Sequence, residues 1–139
     1  MSSCVFCRIV AGEIPAAIVY QDALSIAFMD AGQVNPGHVL VAAKAHAENL
    51  YELDDAQAGA LLRCAAHVAR GIRAAFQPAG LSVYQANGKA AGQTVFHYHM
   101  HLLPRHEGDG VTLGWPAKSP PRETLNDYAA AIRRTLATG

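Results

Sequence analysis

An α+β fold, with helices packed on a mostly antiparallel sheet, is the class that this 139-residue sequence predicts. Several short segments are rich in apolar and β-branched residues, which is typical of strands. Consecutive segments of this kind are joined by short turns or by a single helix, and the regular strand–helix alternation of a parallel sheet is missing. The length suits one domain over residues 1–139 with a single buried core.

Five strands are predicted from apolar runs that are bounded by turn residues. They cover residues 18–21, 24–29, 38–43, 81–87 and 95–103. Asp22 and Ala23 separate the first two strands, which predicts a hairpin. The third strand follows Asn35-Pro36-Gly37, a combination that is typical of turns.

Two helices are expected besides the strands. Asp54 followed by Gln57 predicts a capping box at the start of a long helix, and Pro78 marks its end. Its apolar positions recur at helical spacing, which also makes Cys64 a core residue. These positions are Leu61, Cys64 or Ala65, Val68, Ile72 and Phe76. Residues 105–118 are expected to form a loop, and a C-terminal helix is expected over about 120–136.

Charge and cysteine content narrow the possible classes of function. The 11 basic and 11 acidic residues cancel, so the chain lacks the overall positive field that holds duplex nucleic acid. No run approaches the roughly 18 apolar residues of a membrane helix, and the start MSSCVFCRIVAGEIP lacks the pattern of a secretory signal. We therefore expect a cytoplasmic protein. Three cysteines, an odd number, argue against a disulfide framework.

The sequence HYHMHLLP places His97, His99 and His101 at alternate positions of the predicted fifth strand. Alternate side chains share one face of a strand, and the apolar residues between them face the core. The outer two histidines stand about 13 Å apart along the backbone, so two neighbours can share a metal ion but all three cannot. A surface strand that is merely rich in histidine is the alternative. We expect the three imidazoles to have different roles rather than to bind one metal ion together.

The pair Cys4 and Cys7 has the C-x-x-C spacing that chelates zinc, which requires four ligands. The sequence contains no second pair, so histidines or carboxylates must complete the set. His46, just past the third strand, and His97 are candidates for a closed, structural Cys2His2 site, although spacing alone leaves the fourth ligand open. A redox role is disfavoured, because only three residues precede Cys4 and no strand can lead into the motif.

The segment GQTVFHYHMHLLPR at 92–105 resembles the signature of the histidine triad (HIT) family. The likeness extends to FCRIVAGEIPA near the start, to IAFMD at 26–30, to NPGHVLVAAKAH at 35–46 and to Asn87. It covers roughly residues 4–106 and leaves the predicted C-terminal helix outside.

The resemblance implies a nucleotide hydrolase or transferase built on a five-stranded antiparallel sheet, which usually forms a homodimer with a ten-stranded sheet. The middle histidine, here His99, would attack the α-phosphorus of an AMP derivative and form a covalent nucleotidyl-imidazole. The substrate would be a nucleoside phosphoramidate or a dinucleoside polyphosphate. Bacterial-type members carry the C-x-x-C pair, and the resemblance implies structural zinc held by Cys4, Cys7, His46 and His97.

The resemblance also assigns the other site residues to two groups. The group near the reacting phosphate comprises Gln93, Thr94, His101 and His38, together with backbone amides around Gly92. The group around the nucleoside comprises Phe6, Ile9 and Phe28 for the base, Asp30 for the ribose hydroxyls and Asn87 for the sugar or phosphate side. Taken without the resemblance, the three apolar residues are equally compatible with the core.

Two other functions stay open at this point. One is a zinc-stabilised regulatory protein that binds purine nucleotides with little catalysis. The other is a metallohydrolase in which two histidines of the triad hold a catalytic metal. The sequence also leaves open the phosphoramidase and the dinucleoside polyphosphate hydrolase branches, the base preference and any protein partner. Residues 105–118, including Trp115, are expected to shape the leaving-group side.

Overall fold

A computed structural model describes residues 3–112 and 114–136 of the chain. The chain comprises two compact units, residues 1–109 and residues 110–139. Among the described residues, the first unit contains a sheet, two α-helices and two short 3-10 helices, and the second contains one α-helix. The single domain expected over 1–139 stays a prediction. Within the described part of the chain, no helix combines the length and the apolar character needed to span a membrane.

The first unit is built on five antiparallel strands in the order β1-β2-β3-β5-β4. The strands are β1 (Ile18–Gln21), β2 (Ser25–Met29), β3 (Val39–Ala43), β4 (Gly80–Tyr84) and β5 (His99–Arg105). The predicted α+β class, the five strands and the hairpin between the first two are confirmed. Because β5 lies between β3 and β4, its residues have neighbouring strands on both sides.

Two strand predictions were wrong at their ends. The fifth strand begins at His99 rather than at residue 95 and continues to Arg105. The fourth ends at Tyr84 rather than at residue 87, because Gln85 and Asn87 pair through their side-chain amides at 2.7 and 2.8 Å. Alternation of apolar residues cannot locate such ends, since hydrogen bonds to side chains decide them.

The helices of the first unit are α1 (Val5–Val10) and α2 (Asp55–Phe76). The sequence predicted α2, including its capping box between Asp54 and Gln57, and both hydrogen bonds of that box are present. The short helix α1 was not predicted. Its N-cap is Cys4, whose Sγ accepts a hydrogen bond from the backbone N–H of Cys7 at 3.4 Å.

The two faces of the sheet bury different side chains. On one face α2 packs against the sheet, and Cys64 is buried there as predicted. The apolar residues between the three histidines, Tyr98, Met100 and Leu102, belong to this same cluster. A smaller cluster lies apart from α2 and includes α1; its buried members are Phe6, Ile9, Ile26, Phe28, Leu40 and Ala42.

The second unit contains α3 (Arg122–Leu136), which begins slightly later than the expected residue 120. The backbone N–H of Leu125 donates to the carbonyl oxygen of Pro121 at 3.2 Å, so the first helical turn follows directly after Pro120 and Pro121. Among the described residues between β5 and α3 there is no helix or strand, in agreement with the predicted loop.

Candidate active site and metal centre

Two thiols and two imidazoles converge between the start of α1 and the segment that precedes β5. The Nδ1 atom of His97 lies 3.3 Å from Cys4 Sγ and 3.6 Å from Cys7 Sγ. The Nδ1 atom of His46 lies 3.4 Å from Cys7 Sγ and 3.2 Å from His97 Nδ1. The fold therefore brings together the four side chains that were predicted as metal ligands, and they could hold one ion.

The separations of these four atoms fit tetrahedral zinc. With Zn–S bonds of about 2.3 Å and Zn–N bonds of about 2.05 Å, the edges of a tetrahedron are about 3.5 Å between nitrogen and sulfur and about 3.3 Å between nitrogens. The distances above agree with these edges to within about 0.2 Å. Two thiolates and two imidazoles are also the donors that zinc prefers. Such a site is closed, because all four positions are taken by protein.

His97 is fully buried, and a hydrogen bond at its other ring nitrogen orients the ring so that Nδ1 faces the other candidate ligands. Its Nε2–H donates to the carbonyl oxygen of Ala43 at 2.6 Å, which leaves the lone pair of a neutral ring on Nδ1. Burial lowers the pKa of His97, and the hydrogen bond to Ala43 opposes that shift only in part. The ring is thus neutral near pH 7 and offers Nδ1 to the metal, as zinc-binding histidines do.

The ring of His99 is held by the backbone of the residue two positions earlier. Its Nδ1–H donates to the carbonyl oxygen of His97 at 2.7 Å. In a neutral imidazole the other nitrogen, Nε2, then carries the lone pair and can attack an electrophile. Phe6 packs edge-on against this ring, with 5.0 Å between the centroids. A single residue, His97, therefore contributes its side chain to the candidate metal site and orients His99 with its carbonyl.

A cavity of about 570 Å³ opens beside His99. Its volume lies within the range of roughly 300–1,000 Å³ that is typical of sites for small ligands. The apolar wall includes Phe6, Ile9 and Phe28, so the residues predicted for the base are both core residues and part of the cavity. The polar residues of the wall are Asp30, Thr94, His99 and His101.

A second cavity, of about 580 Å³, lies between the sheet and α2. Its wall is mainly apolar, and the polar residues His67 and Arg70 do not bring an acid, a nucleophile and a donor together. The ring of His67 packs instead against Tyr20, with 4.8 Å between the centroids. The first cavity is therefore the candidate active site, because convergent polar groups distinguish a reactive site from an apolar groove.

Asp30, His38 and His101 form a compact polar cluster at one side of the cavity. His38 Nε2 lies 2.9 Å from His101 Nδ1, a hydrogen-bond distance. Asp30 Oδ2 lies 3.4 Å from His38 Nε2 and 3.8 Å from His101 Nδ1. His101 also packs against His99, with 5.3 Å between the ring centroids. The cluster therefore links the ring of the candidate nucleophile to the buried histidine at the end of the loop 30–38.

The histidines of this cluster are neutral near pH 7. Burial lowers the pKa of His101 to about 4, and the neighbouring rings of His99 and His38 add to that shift, which Asp30 partly opposes. Burial likewise lowers the pKa of His38, again against the effect of Asp30. Each ring therefore offers one N–H donor and one lone pair rather than a positive charge.

Four of the predicted residues lie outside the wall of the cavity: His38, which belongs to the polar cluster described above, and Gln93, Asn87 and Gly92. The amide of Gln93 donates to the carbonyl oxygens of Glu48 and Val95 at 2.6 and 3.1 Å, and its oxygen accepts from Gly88 N at 2.7 Å. Asn87 Oδ1 accepts from the backbone N–H of Leu50 at 2.8 Å. Gly92 N donates to the carbonyl oxygen of Lys89, which closes a helical turn. Their contacts with substrate stay predictions, whereas their role in the backbone around the site is visible.

One residue beside the site was not indicated by the sequence, namely Gln33. This side chain is at the surface, yet its amide nitrogen donates to the carbonyl oxygens of Asp30 and His38 at 2.6 and 2.7 Å. A polar residue in a turn-rich segment is ordinarily read as solvated. The only signal that could have pointed to Gln33 is its position between two predicted site residues.

Sequence comparison decides the family. The model of the HIT domain matches residues 11–108 of this chain. The chain belongs to the HIT family. This HIT-family chain is similar to "Protein hit" of Bacillus subtilis, with 44% identity over 98% of this chain and 96% of that protein. It is also similar to adenosine 5'-monophosphoramidase hnt1 of Schizosaccharomyces pombe, with 39% identity over 83% of this chain and 84% of that protein.

Solved structures agree with this assignment. A crystal structure of a HIT-family member from Bacillus subtilis superposes with a TM-score of 0.91 at 43% identity, covering 96% of each chain. A zinc-bound histidine triad protein from Mycobacterium smegmatis superposes with a TM-score of 0.74 at 32% identity, covering 98% of this chain and 96% of that one. The resemblance to the HIT family that the triad motif indicated, and the fold that it implied, are confirmed.

Proposed function

We propose that this HIT-family protein is a nucleotidyl hydrolase that acts on AMP derivatives through a covalent intermediate on His99. One observation carries the proposal: the hydrogen bond from His99 Nδ1 to the carbonyl of His97 leaves a nucleophilic Nε2 at the cavity of about 570 Å³. The relative from Schizosaccharomyces pombe that is an adenosine 5'-monophosphoramidase supports the substrate class.

The proposed reaction has two displacements at the α-phosphorus. His99 Nε2 attacks phosphorus, the P–N bond to the ring forms, and the bond from phosphorus to the leaving amine or phosphate breaks as that group takes up a proton. Water then attacks phosphorus, a P–O bond forms and the P–N bond breaks. The proton that the water gives up replaces the one that the leaving group took up in the first step. AMP and the leaving group are the products, and the imidazole is restored.

The cavity offers a place for each part of such a substrate. The base fits against Phe6, Ile9 and Phe28, and the carboxylate of Asp30 can accept hydrogen bonds from the ribose hydroxyls. Thr94 and His101 provide donors for the phosphoryl oxygens, whose charge grows in the transition state. We further propose that Gln93, Gly92, Asn87 and His38 support these groups through the backbone and the hydrogen bonds described above.

Zinc is proposed at Cys4, Cys7, His46 and His97, where the donor atoms and their separations fit it. When bound there, the ion would tie α1 to the segment before β5 and would take no part in bond breaking, because its four positions are filled. We also propose a homodimer. The edge strand β4 exposes Leu81, Val83 and Tyr84, which is unusual for an edge that faces only water. The cytoplasmic location stays a prediction.

The experiment that tests the proposal is to trap the intermediate. His99→Ala should abolish the turnover of adenosine phosphoramidate and of diadenosine polyphosphates while it leaves zinc content and AMP binding close to normal. His67→Ala is the control and should keep full activity, because this exposed histidine of α2 packs against Tyr20 and lies outside the cavity. Rapid acid quench with α-labelled substrate should place the label on a peptide that contains residue 99.

Three results would contradict the proposal. A label on another residue, or normal rates in the His99→Ala variant, would exclude the covalent mechanism. Tight AMP binding without turnover of any adenylate would favour a regulatory nucleotide-binding protein. Metal bound at the triad that persists in Cys4→Ser would favour a metallohydrolase.

A further inference from the structure

We propose that Gln33 is a positioning residue, which fixes the tautomers of His38 and His101 through the loop that it closes. The inference rests on the proposed function in one respect: the proposed function is what makes His101 a donor to the substrate phosphate. The structural part of the inference, the tautomers themselves, does not depend on turnover.

Both the nitrogen and the oxygen of the Gln33 side-chain amide form hydrogen bonds with the backbone of one loop, residues 30–38. Nε2 donates to the carbonyl oxygens of Asp30 and His38, at 2.6 and 2.7 Å. Oε1 accepts from the backbone N–H groups of Gly37 and His38, at 3.0 and 3.1 Å. The amide thus joins the two ends of residues 30–38, where a single backbone hydrogen bond from Asp30 N to His38 O otherwise closes the loop.

This closure sets which nitrogen of His38 carries the proton. The backbone N–H of Val34, the residue after Gln33, donates to His38 Nδ1 at 3.4 Å. Because Nδ1 accepts a hydrogen bond, a neutral His38 must carry its proton on Nε2. A backbone N–H can only donate a hydrogen bond. The loop conformation that Gln33 holds therefore requires an acceptor at His38 Nδ1 and so selects the tautomer.

The selection passes to His101 through one hydrogen bond. With the proton on Nε2, His38 donates to His101 Nδ1 at 2.9 Å, and the carboxylate of Asp30 lies near the same proton, 3.4 Å from Nε2. A neutral His101 that accepts at Nδ1 carries its own proton on Nε2. Both rings are neutral near pH 7, since burial lowers the pKa of each. His101 therefore enters catalysis with Nε2–H as a donor.

The same three side chains, Asp30, His38 and His101, also have the composition of a metal site. Two features favour the hydrogen-bonded arrangement instead. The 2.9 Å between the two nitrogens is shorter than the edge of about 3.3 Å that a zinc tetrahedron gives. The N–H of Val34 also opposes a proton on His38 Nδ1, which is where it would have to be if Nε2 held a metal.

Loss of the Gln33 amide would make the loop more mobile. The preference of His38 and His101 for one tautomer would then be lost. In the other tautomer His101 would turn a lone pair toward the phosphoryl oxygens, which repels them where a donor is needed. A donor to a developing oxyanion acts mainly in the transition state, so the loss would fall on kcat more than on KM. Loss of one such hydrogen bond predicts a decrease in kcat of roughly fivefold to tenfold.

The test is nuclear magnetic resonance of the histidine rings, together with kinetics. Long-range ¹H–¹⁵N correlations of the zinc-loaded wild-type protein should show both His38 and His101 protonated at Nε2. Gln33→Met, which keeps the length and loses the amide, should give mixed tautomers and the lower kcat with little change in KM. Gln57→Met is the matched control, because it removes an amide that caps α2 and lies outside the loop.

The inference is overturned if either ring of the wild-type protein carries its proton on Nδ1, a result that needs no variant. It is equally overturned if Gln33→Met folds and keeps both tautomers, or if Gln57→Met lowers kcat as much. Failure of the proposed function would be recognised separately, by normal turnover in His99→Ala with the wild-type tautomers as described.

Discussion

Removing one thiol ligand should detach α1 and with it one wall of the cavity. A helix of six residues is far below the about 12–15 residues at which isolated helices become marginally stable. Its two buried side chains, Phe6 and Ile9, contribute about 1.5–3 kcal/mol each, or about 3–6 kcal/mol together. Ordering six backbone units costs roughly 6–12 kcal/mol, so burial alone does not hold α1, and we expect metal binding at the proposed site to supply the remainder.

Cys7→Ser is therefore expected to lose zinc and to expose residues 5–10 to solvent. Without Phe6 and Ile9 the base would lose most of an apolar wall, and AMP affinity should fall at least about tenfold, which corresponds to about 1.4 kcal/mol. Metal analysis, hydrogen exchange of α1 and calorimetric titration with AMP measure the three effects. Arg8→Ala is the control, since it removes only the partly exposed ion pair between Arg8 on α1 and Glu13, which follows the helix.

The reasoning is refuted if Cys7→Ser loses its metal while α1 stays protected from exchange and AMP binds as before. Burial would then suffice to hold the helix. It is refuted as well if Arg8→Ala releases zinc, because α1 would then depend on a surface ion pair rather than on the metal.

Three further predictions concern the turn, the sheet edge and the titration of the polar cluster. Gly37→Ala should destabilise the protein more than Gly88→Ala in urea unfolding, because both have positive φ (95° and 87°) but only the Cβ at 37 would meet Phe76, at 2.9 Å. Val83→Glu should convert the proposed dimer to a monomer in light scattering, and a dimer that survives would rule out β4 as its interface. Stability should fall as pH decreases from about 6.5 to about 4, because in this range the unfolded chain binds a proton that folded His101 does not. A His101→Gln variant should show a flatter slope in the same range, and equal slopes would contradict the assignment.

The sheet and the Cys4/Cys7 pair could be predicted because both depend on short-range patterns, whereas the full ligand set was implied by the resemblance to the HIT family. Alternation along 97–103 placed Tyr98, Met100 and Leu102 in the core, and C-x-x-C spacing indicated the metal. The place of His97 before β5, rather than in it, depends on the hydrogen bond from Tyr98 N to the carbonyl of Ala47 at 2.6 Å. Such a contact joins distant parts of the chain, so the alternation of residues along 97–103 cannot indicate it.

The helix α1 and the role of Gln33 could not be predicted, for two different physical reasons. A helix of six residues has less than two turns, so its apolar spacing cannot be distinguished from chance. The hydrogen bonds of Gln33 all reach backbone atoms, which every residue possesses. Their partners are therefore set by the path of the loop. The residues Asn35-Pro36-Gly37 predict a turn, but they do not indicate which backbone groups the amide reaches.

The double duty of His97 restricts how this protein can be redesigned. Replacing the imidazole of His97 by a thiol would suit a softer metal. The substitution would keep a metal ligand, and it would keep the carbonyl oxygen that accepts the hydrogen bond from His99. The replacement would nevertheless discard the anchor to the Ala43 carbonyl. The peptide unit would then be held mainly by the hydrogen bond from Tyr98 N to the carbonyl of Ala47, and the attacking ring would be oriented less firmly. Metal affinity and reactivity in this protein are thus expected to change together whenever position 97 is altered.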